Sequence, residues 1–296
     1  MKTKVIVISA LVLATISAHG AWDELMRKAT VAKAYTNATG EVFHYRWHEP
    51  KTPPATGVKL PLVILMHGAG ERGKDNISQL VHGGPAIVKW FQEHNEEYYL
   101  LAGQVPFEKR WVEVNWGSTS HLLPETPSLA MGLQIELLEK IRQMESVDID
   151  RIYVTGVSMG GYGTWDLLSR RPDWFAAAMP LCGGVDIHQL PRLIDIPIWI
   201  HHGSQDGLVP TVRSRIATAA LQALGSRTVR YTEYQGVGHD CWGRAYKDPQ
   251  TLDWLFAQKR APKRRVAPPE AVIRAELIER AFLEPTAHLL GATEAQ

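Results

Sequence analysis

Short apolar runs, several of them rich in β-branched residues, alternate along this chain with longer stretches whose apolar positions recur at helical spacing. Leu62-Val63-Ile64-Leu65-Met66, Arg151-Ile152-Tyr153-Val154-Thr155 and Ile196-Pro197-Ile198-Trp199-Ile200 have the length and continuity of strands buried on both faces. A further strand ends near Cys182, and Thr228–Tyr234, where apolar and polar residues alternate, reads as another. Helices are expected at Leu129–Met144, from Ser158 to the stop at Pro172, and at Val212–Leu224. The segment Leu252–Gln258 carries Trp254, Leu255 and Phe256 for packing onto the sheet. Strand and helix alternating in this way predict an α/β fold with a mostly parallel central sheet covered by helices on both faces.

The most informative junction follows the second run. Gly156-Val157-Ser158-Met159-Gly160 stands between a strand and a helix, where a G-x-S-x-G turn holds a serine at the top of a sheet. The turn is tight, so the residues flanking the serine must be small. A serine hydroxyl is a weak nucleophile near neutral pH and needs a base, which itself needs an orienting acid. Downstream of Ser158, Asp206 lies on the polar loop His201–Pro210 after a buried strand. His239 lies on the glycine-loosened loop Gly236-Val237-Gly238-His239 after the last strand. The expected triad is therefore Ser158, Asp206 and His239. Asp186 is the alternative acid, and Asp206 has the alternative role of capping the helix after Pro210.

Acyl transfer also needs backbone N–H donors where negative charge develops. Met159, directly after the serine, supplies one candidate. Ala69, within the loop His67-Gly68-Ala69-Gly70-Glu71-Arg72-Gly73 after the first buried strand, supplies the other. The same loop spells a dinucleotide fingerprint, but Glu71 occupies the place of a pyrophosphate and the polar Lys74-Asp75-Asn76 does not open an apolar helix. No cofactor is expected. His201 and His202 neighbour Asp206, yet adjacent side chains rarely converge on one ion and no H-E-x-x-H motif accompanies them. No metal is expected either.

These motifs together resemble an α/β-hydrolase carboxylesterase, of the branch that contains feruloyl-esterase-like, dienelactone-hydrolase-like and phospholipase/carboxylesterase proteins. The stretches that carry the likeness are His67–Gly73, Gly156–Trp165, Pro180-Leu181-Cys182-Gly183-Gly184 and Gly236–Asp240, within roughly residues 40 to 258. The resemblance implies the α/β-hydrolase fold, with Ser158, Asp206 and His239 as triad and Ala69 and Met159 as oxyanion donors. It implies hydrolysis of a carboxylic ester through an acyl-enzyme, possible substrates being feruloyl or acetyl esters of plant polysaccharide. A serine peptidase of prolyl-oligopeptidase-like type is the alternative within this chemistry, though no propeller or other gating domain is recognised. A catalytically silent α/β-hydrolase used for binding is the alternative outside it.

Composition narrows the setting. With 296 residues, 45% of them hydrophobic, and a net charge of +1, the chain is suited to one α/β domain and shows no nucleic-acid-binding surface. Residues 1–20 read as a signal peptide: Lys2 and Lys4, the apolar Val5–Ala14, then Ala18-His19-Gly20. That run is too short to span a membrane, so a periplasmic or secreted protein is expected, with residues 21–258 as its catalytic domain. The two cysteines, Cys182 and Cys241, belong to the same rim as the triad, and a bridge between them is left open. Only about fourteen residues separate the strand near Cys182 from Pro197, too few for a cap domain. Gln104–Pro127 is the expected pocket wall, its Trp111 and Trp116 either gripping an aryl or sugar ester or packing the loop onto the core. From Lys259 the chain changes character. Lys259, Arg260, Lys263, Arg264 and Arg265 form a basic linker before an apolar helical stripe of Ile273, Leu277, Ile278, Ala281 and Phe282. This tail, 259–296, docks on its own domain or meets an acidic partner; the oligomeric state is not legible.

Overall fold

The apolar runs of the chain meet edge to edge in one sheet. A computed structural model describes residues 20–262, 264–268 and 270–283, so all of the expected leader, residues 1–20, except Gly20 lies outside the described residues. The strands are β1 (Val31–Thr36), β2 (Val42–His48), β3 (Leu60–Met66), β4 (Tyr99–Gly103), β5 (Val147–Val157), β6 (Ala177–Leu181), β7 (Ile198–Gly203) and β8 (Val229–Tyr234). They hydrogen-bond in the order β1-β2-β4-β3-β5-β6-β7-β8. β2 runs antiparallel to both of its neighbours, and every pair from β4 to β8 is parallel. β3, β5, β6, β7 and β8 are the strands expected from the pattern. β1, β2 and β4 were not expected: β1 and β2 carry polar residues such as Lys33, His44 and Arg46 and lack a continuous apolar run, and β4 is only five residues long.

Alternation along the central strands builds a core on each side of the sheet. Leu62, Ile64 and Met66 of β3 join Ile152 and Val154 of β5 in one apolar layer. Val63 and Leu65 point the other way and pack with Tyr153 in the second layer. The first layer is closed by α3 (Leu129–Ile141), α4 (Met159–Arg170), α5 (Val212–Ala223) and α8 (Glu270–Leu283). The second is closed by α1 (residues 20–29), α2 (Gly84–His94), α6 (Trp242–Ala245) and α7 (Pro249–Phe256). Local chemistry sets the helix starts. Ser128 accepts a hydrogen bond from the Met131 N–H at 3.1 Å to begin α3, and Asp248 accepts one from Gln250 at 3.0 Å ahead of Pro249 in α7. The connection from β6 to β7 holds only a 3₁₀ turn, Ile187–Arg192, and no inserted domain. Among the described residues no helix is long and apolar enough to cross a membrane.

The basic tail lies along this body. Arg260 pairs with Asp150, Arg265 pairs with Asp195, and Arg264 donates to the carbonyls of Pro172 and Phe175. α8 then packs on α5 and on the 3₁₀ turn, where His188 bridges Asp186 and Glu276 at 2.8 and 3.1 Å. The docking face shares only Ile278 with the expected stripe. Ala271 and Ala275 are buried and Ile278 packs against the core, whereas Ile273, Leu277, Ala281 and Phe282 remain exposed. Small side chains let two helices approach closely, and that approach decided which face turned inward.

Where α4 crosses β3 the backbones nearly touch. A β-carbon on Gly160 would lie 2.0 Å from the Met66 carbonyl oxygen, with no flexible side chain to give way. Gly160→Ala is expected to lose roughly 3 kcal/mol or more. Gly132, inside α3, would place a β-carbon against nothing nearer than a Pro127 carbon at 4.0 Å. Gly132→Ala should gain about 0.5–1 kcal/mol from helix propensity. Urea unfolding of the two variants beside wild type separates these opposite signs; equal effects would contradict the close crossing.

Candidate active site

The elbow is strained. Ser158 sits at φ 56°, ψ −118°, a region a residue with a β-carbon seldom enters. Two backbone bonds hold it there: the Ser158 N–H donates to the Leu181 carbonyl at 2.9 Å, and the Tyr162 N–H donates to the Ser158 carbonyl at 3.1 Å. β5 must also pass α4 at close range, and a β-carbon on Gly156 would lie 2.5 Å from the Gly160 carbonyl oxygen. The strain is thus maintained by the surrounding packing.

Three side chains distant in sequence meet at this turn. His239 Nε2 lies 2.7 Å from Ser158 Oγ, and His239 Nδ1 lies 2.7 Å from Asp206 Oδ2. Asp206 is carried by the loop after β7 and His239 by the loop after β8. The loops are laced together by the Ser204 N–H donating to the Tyr234 carbonyl at 3.0 Å and the Gln205 N–H to the Val237 carbonyl at 2.9 Å. The Asp206 side chain is fully buried, and burial alone would raise its pKa. Hydrogen bonds outweigh that effect: the His202 and His239 rings on Oδ2, and the Leu208 and Val209 N–H groups on Oδ1. Together they hold the carboxyl well below the usual carboxylate range. Asp206 does not cap the helix after Pro210: α5 begins at Val212 behind Thr211 with no side-chain cap, and Oδ1 is used within the Leu208–Val209 turn of its own loop.

His202 is the participant the sequence did not disclose. Its Nε2 faces two acceptors, Asp206 Oδ2 at 3.1 Å and the Val209 carbonyl at 3.1 Å, so that nitrogen carries the proton. Nδ1 lies 2.7 Å from Ser214 Oγ. His201 points to the opposite side of β7, where it stacks on Trp199 and Tyr234 and burial lowers its pKa to about 3. Strand alternation separates the two adjacent histidines that had suggested a metal pair.

The loop after β3 is built around His67. Val105 N–H donates to His67 Nε2 at 2.9 Å, so this nitrogen is an acceptor and Nδ1 donates to the Gly68 carbonyl at 2.6 Å. Complete burial lowers the His67 pKa to about 4 and keeps the ring neutral. The pinned carbonyl shares its planar trans peptide unit with the Ala69 N–H, which must point the other way. The Ala69 carbonyl is in turn occupied by Arg72 Nε at 2.8 Å. Met159, the other candidate donor, is the first residue of α4, where an N–H has no partner inside the helix. Beside this loop Glu71 lies 3.5 Å from His82, and Trp242 stands between His82 and His239 with ring centroids 5.2 and 5.3 Å away. Trp242 follows the histidine closely in sequence, but nothing in the pattern marked it.

The two expected substrate tryptophans part company. Trp111 is fully buried, packs against Phe43 and donates to the His67 carbonyl at 3.1 Å. That is a correction for Trp111: it fastens the loop to the core and presents no surface to a substrate. Trp116 is partly exposed, with the Arg110 guanidinium 4.5 Å above its ring. The wall from Trp116 onward is tied from several sides. Tyr162 donates to the Trp116 carbonyl at 2.9 Å, Arg213 to Ser118 at 2.7 Å, and the Leu123 N–H to Asp186 at 2.9 Å. Asp186, the alternative acid, is spent on that anchor and on His188. Asp240 is exposed.

The fold has relatives. A solved thermostable esterase is 34% identical with a TM-score of 0.71, covering 80% of this chain and 64% of its own. A ferulic acid esterase (16% identity, TM-score 0.55, 77% of this chain and 97% of its own) and Est1E from Butyrivibrio proteoclasticus (14%, 0.51, 75% and 97%) share the fold. An uncharacterised secreted protein of Arthroderma benhamiae is 26% identical over 228 residues, 67% of this chain. The chain spans 22% of that relative and 64% of the thermostable esterase. A model of the phospholipase/carboxylesterase family matches residues 53–251, the stretch that contains both the Ser158–His239–Asp206 chain and the loop held by His67, and the chain belongs to that family.

Proposed function

We propose that this protein is an exported serine esterase that cleaves carboxylic esters through an acyl-enzyme. The observation that carries the reading is the continuous relay of 2.7 Å contacts from Ser158 through His239 to Asp206. His239 takes the Ser158 proton as Oγ attacks the ester carbonyl, and the imidazolium so formed is stabilised by Asp206. The Ala69 and Met159 amides receive the developing oxyanion. His239 then returns the proton to the departing alcohol, and water repeats the sequence to release the acid. Export is supported by the composition of residues 1–20 and by the secreted relative. An open rim without an inserted cap, flanked by Trp116 and Trp242, favours bulky esters such as feruloyl or acetyl groups on plant polysaccharide. Purified protein assayed on p-nitrophenyl esters of increasing length, methyl ferulate and acetylated xylan tests both activity and preference, and labelling of Ser158 by a fluorophosphonate separates an enzyme from a silent binding protein.

Ser158→Ala is expected to lower kcat by about 10⁶ while the fold survives. More than about a tenth of wild-type turnover in that variant would refute the nucleophile. Asp206→Asn should lower kcat by up to about 10⁴, because an amide favours the wrong imidazole tautomer. Asp186→Asn should cost far less and act on the loop it anchors. The reverse ranking in a side-by-side assay would transfer the acid to Asp186.

His67 acts through the Ala69 amide, so its removal should appear in kcat more than in KM. His67→Ala is expected to reduce kcat about 10²-fold, the scale of one lost oxyanion donor. His67→Asn, whose amide offers both a donor and an acceptor, should recover part of the loss. Equal damage to KM and kcat, with no recovery in the Asn variant, would reduce His67 to a packing residue.

A further inference from the structure

Cys182 and Cys241 have no role in this chemistry, yet both are completely buried beside it. Cys182 follows β6, and its N–H donates to the His201 carbonyl at 2.9 Å. Its backbone is left-handed, φ 47°, where glycine or asparagine is accommodated more easily. A cysteine in that conformation points to a demand for the side chain. Cys241 opens α6, two residues after His239. The sulfurs lie 3.0 Å apart, unbonded, and Cys182 Sγ is 3.1 Å from the His239 carbonyl oxygen. Closing to a covalent bond needs a movement of roughly 1 Å. These are the only two cysteines of the chain, so no other internal pairing competes.

We propose that Cys182 and Cys241 are joined in a structural disulfide that ties the His239 loop to the end of β6. The bond itself is independent of the esterase reading; its effect on turnover rests on that reading. The closed segment contains β7, the Asp206 loop, α5 and β8, so both partners of Ser158 are carried within or at the edge of the bridge. The Cys182 thiol is pushed far up by its contact with Cys241 and by burial, and in the folded protein neither sulfur meets solvent. Oxidation therefore belongs to folding, while the sulfurs are still open to a disulfide-bearing oxidant, either a protein donor or a small-molecule disulfide. One cysteine thiolate attacks that donor, forming a mixed disulfide and releasing one donor thiol. The second cysteine, deprotonated, attacks the mixed disulfide; the Cys182–Cys241 bond forms and the second donor thiol leaves. Two electrons and two protons pass from the chain to the donor, which ends as two thiols.

The test uses the full-length protein produced in an oxidising compartment, or refolded with oxidised glutathione, then unfolded and alkylated with iodoacetamide. No adduct before reduction, two adducts after it, and a linked peptide containing both cysteines are expected by mass spectrometry. Full alkylation of both cysteines without reductant would overturn the proposal. Reducing the bond should lower Tm by about 5 °C or more, and the Cys182→Ala/Cys241→Ala variant should be indifferent to reductant. A bond that forms but whose reduction leaves Tm unchanged would overturn its structural role. Loss of p-nitrophenyl ester turnover on reduction, beside an intact Tm response, assigns the tether to His239. A Tm response with unchanged turnover removes that link and leaves the bond.

Discussion

The crossing of α4 over β3 is the constraint on which the site depends. Gly160 brings the helix backbone against the Met66 carbonyl, and the chain can reach that position from β5 only by holding Ser158 in a left-handed conformation. The same crossing sets the start of α4, and hence the Met159 N–H, beside the loop that leaves β3. Ser158 and the Met159 amide are thus placed by one backbone contact. The stabilising return comes from the two apolar layers on either side of the sheet, which are large enough to hold a locally unfavourable turn in place.

Around this turn the electrostatics follow from which groups are buried with partners and which without. Asp206 is buried yet ionised because four donors converge on its two oxygens. His67 is buried and neutral because one backbone donor and one backbone acceptor occupy its nitrogens. Asp206 and His67 are each held in the protonation state that their neighbours require. Arg213 illustrates the opposite arrangement. It is almost fully buried, and it lies over the Tyr162 ring while holding the Ser118 carbonyl. Its cost is accepted in a place where it stiffens the wall of the cleft.

That wall and the tail form one braced unit on the first face of the sheet. Asp186 holds the Leu123 N–H on one side and His188 on the other, and His188 reaches Glu276 of α8. A basic segment that reads as a solvated linker is drawn onto the body through Asp150, Asp195 and the carbonyl groups of Pro172 and Phe175. The docking relies on Ala271 and Ala275, which bury little surface each but allow a close helix–helix approach.

The strand–helix alternation, the G-x-S-x-G turn and the order of serine, acid and histidine were readable because each depends on neighbours in sequence: a period, a tight turn, a loop after a strand. Those local rules were enough to name Ser158, Asp206, His239 and the loop at Ala69 as one cluster. They did not separate Trp111 from Trp116, because two aromatic residues in an irregular loop have the same local signature whether they face the core or the cleft. They did not reveal His202 or His67 as supports, since a histidine acquires such a role only when a carboxylate or peptide from another strand arrives beside it. They placed the tail helix but not its buried face, which was chosen by the surface it met. The sequence by itself determined what could be decided within a few residues along the chain. Only the tertiary structure decided the identity of each partner across the sheet, because hydrogen bonds and burial between distant segments have no periodic trace in the order of the amino acids.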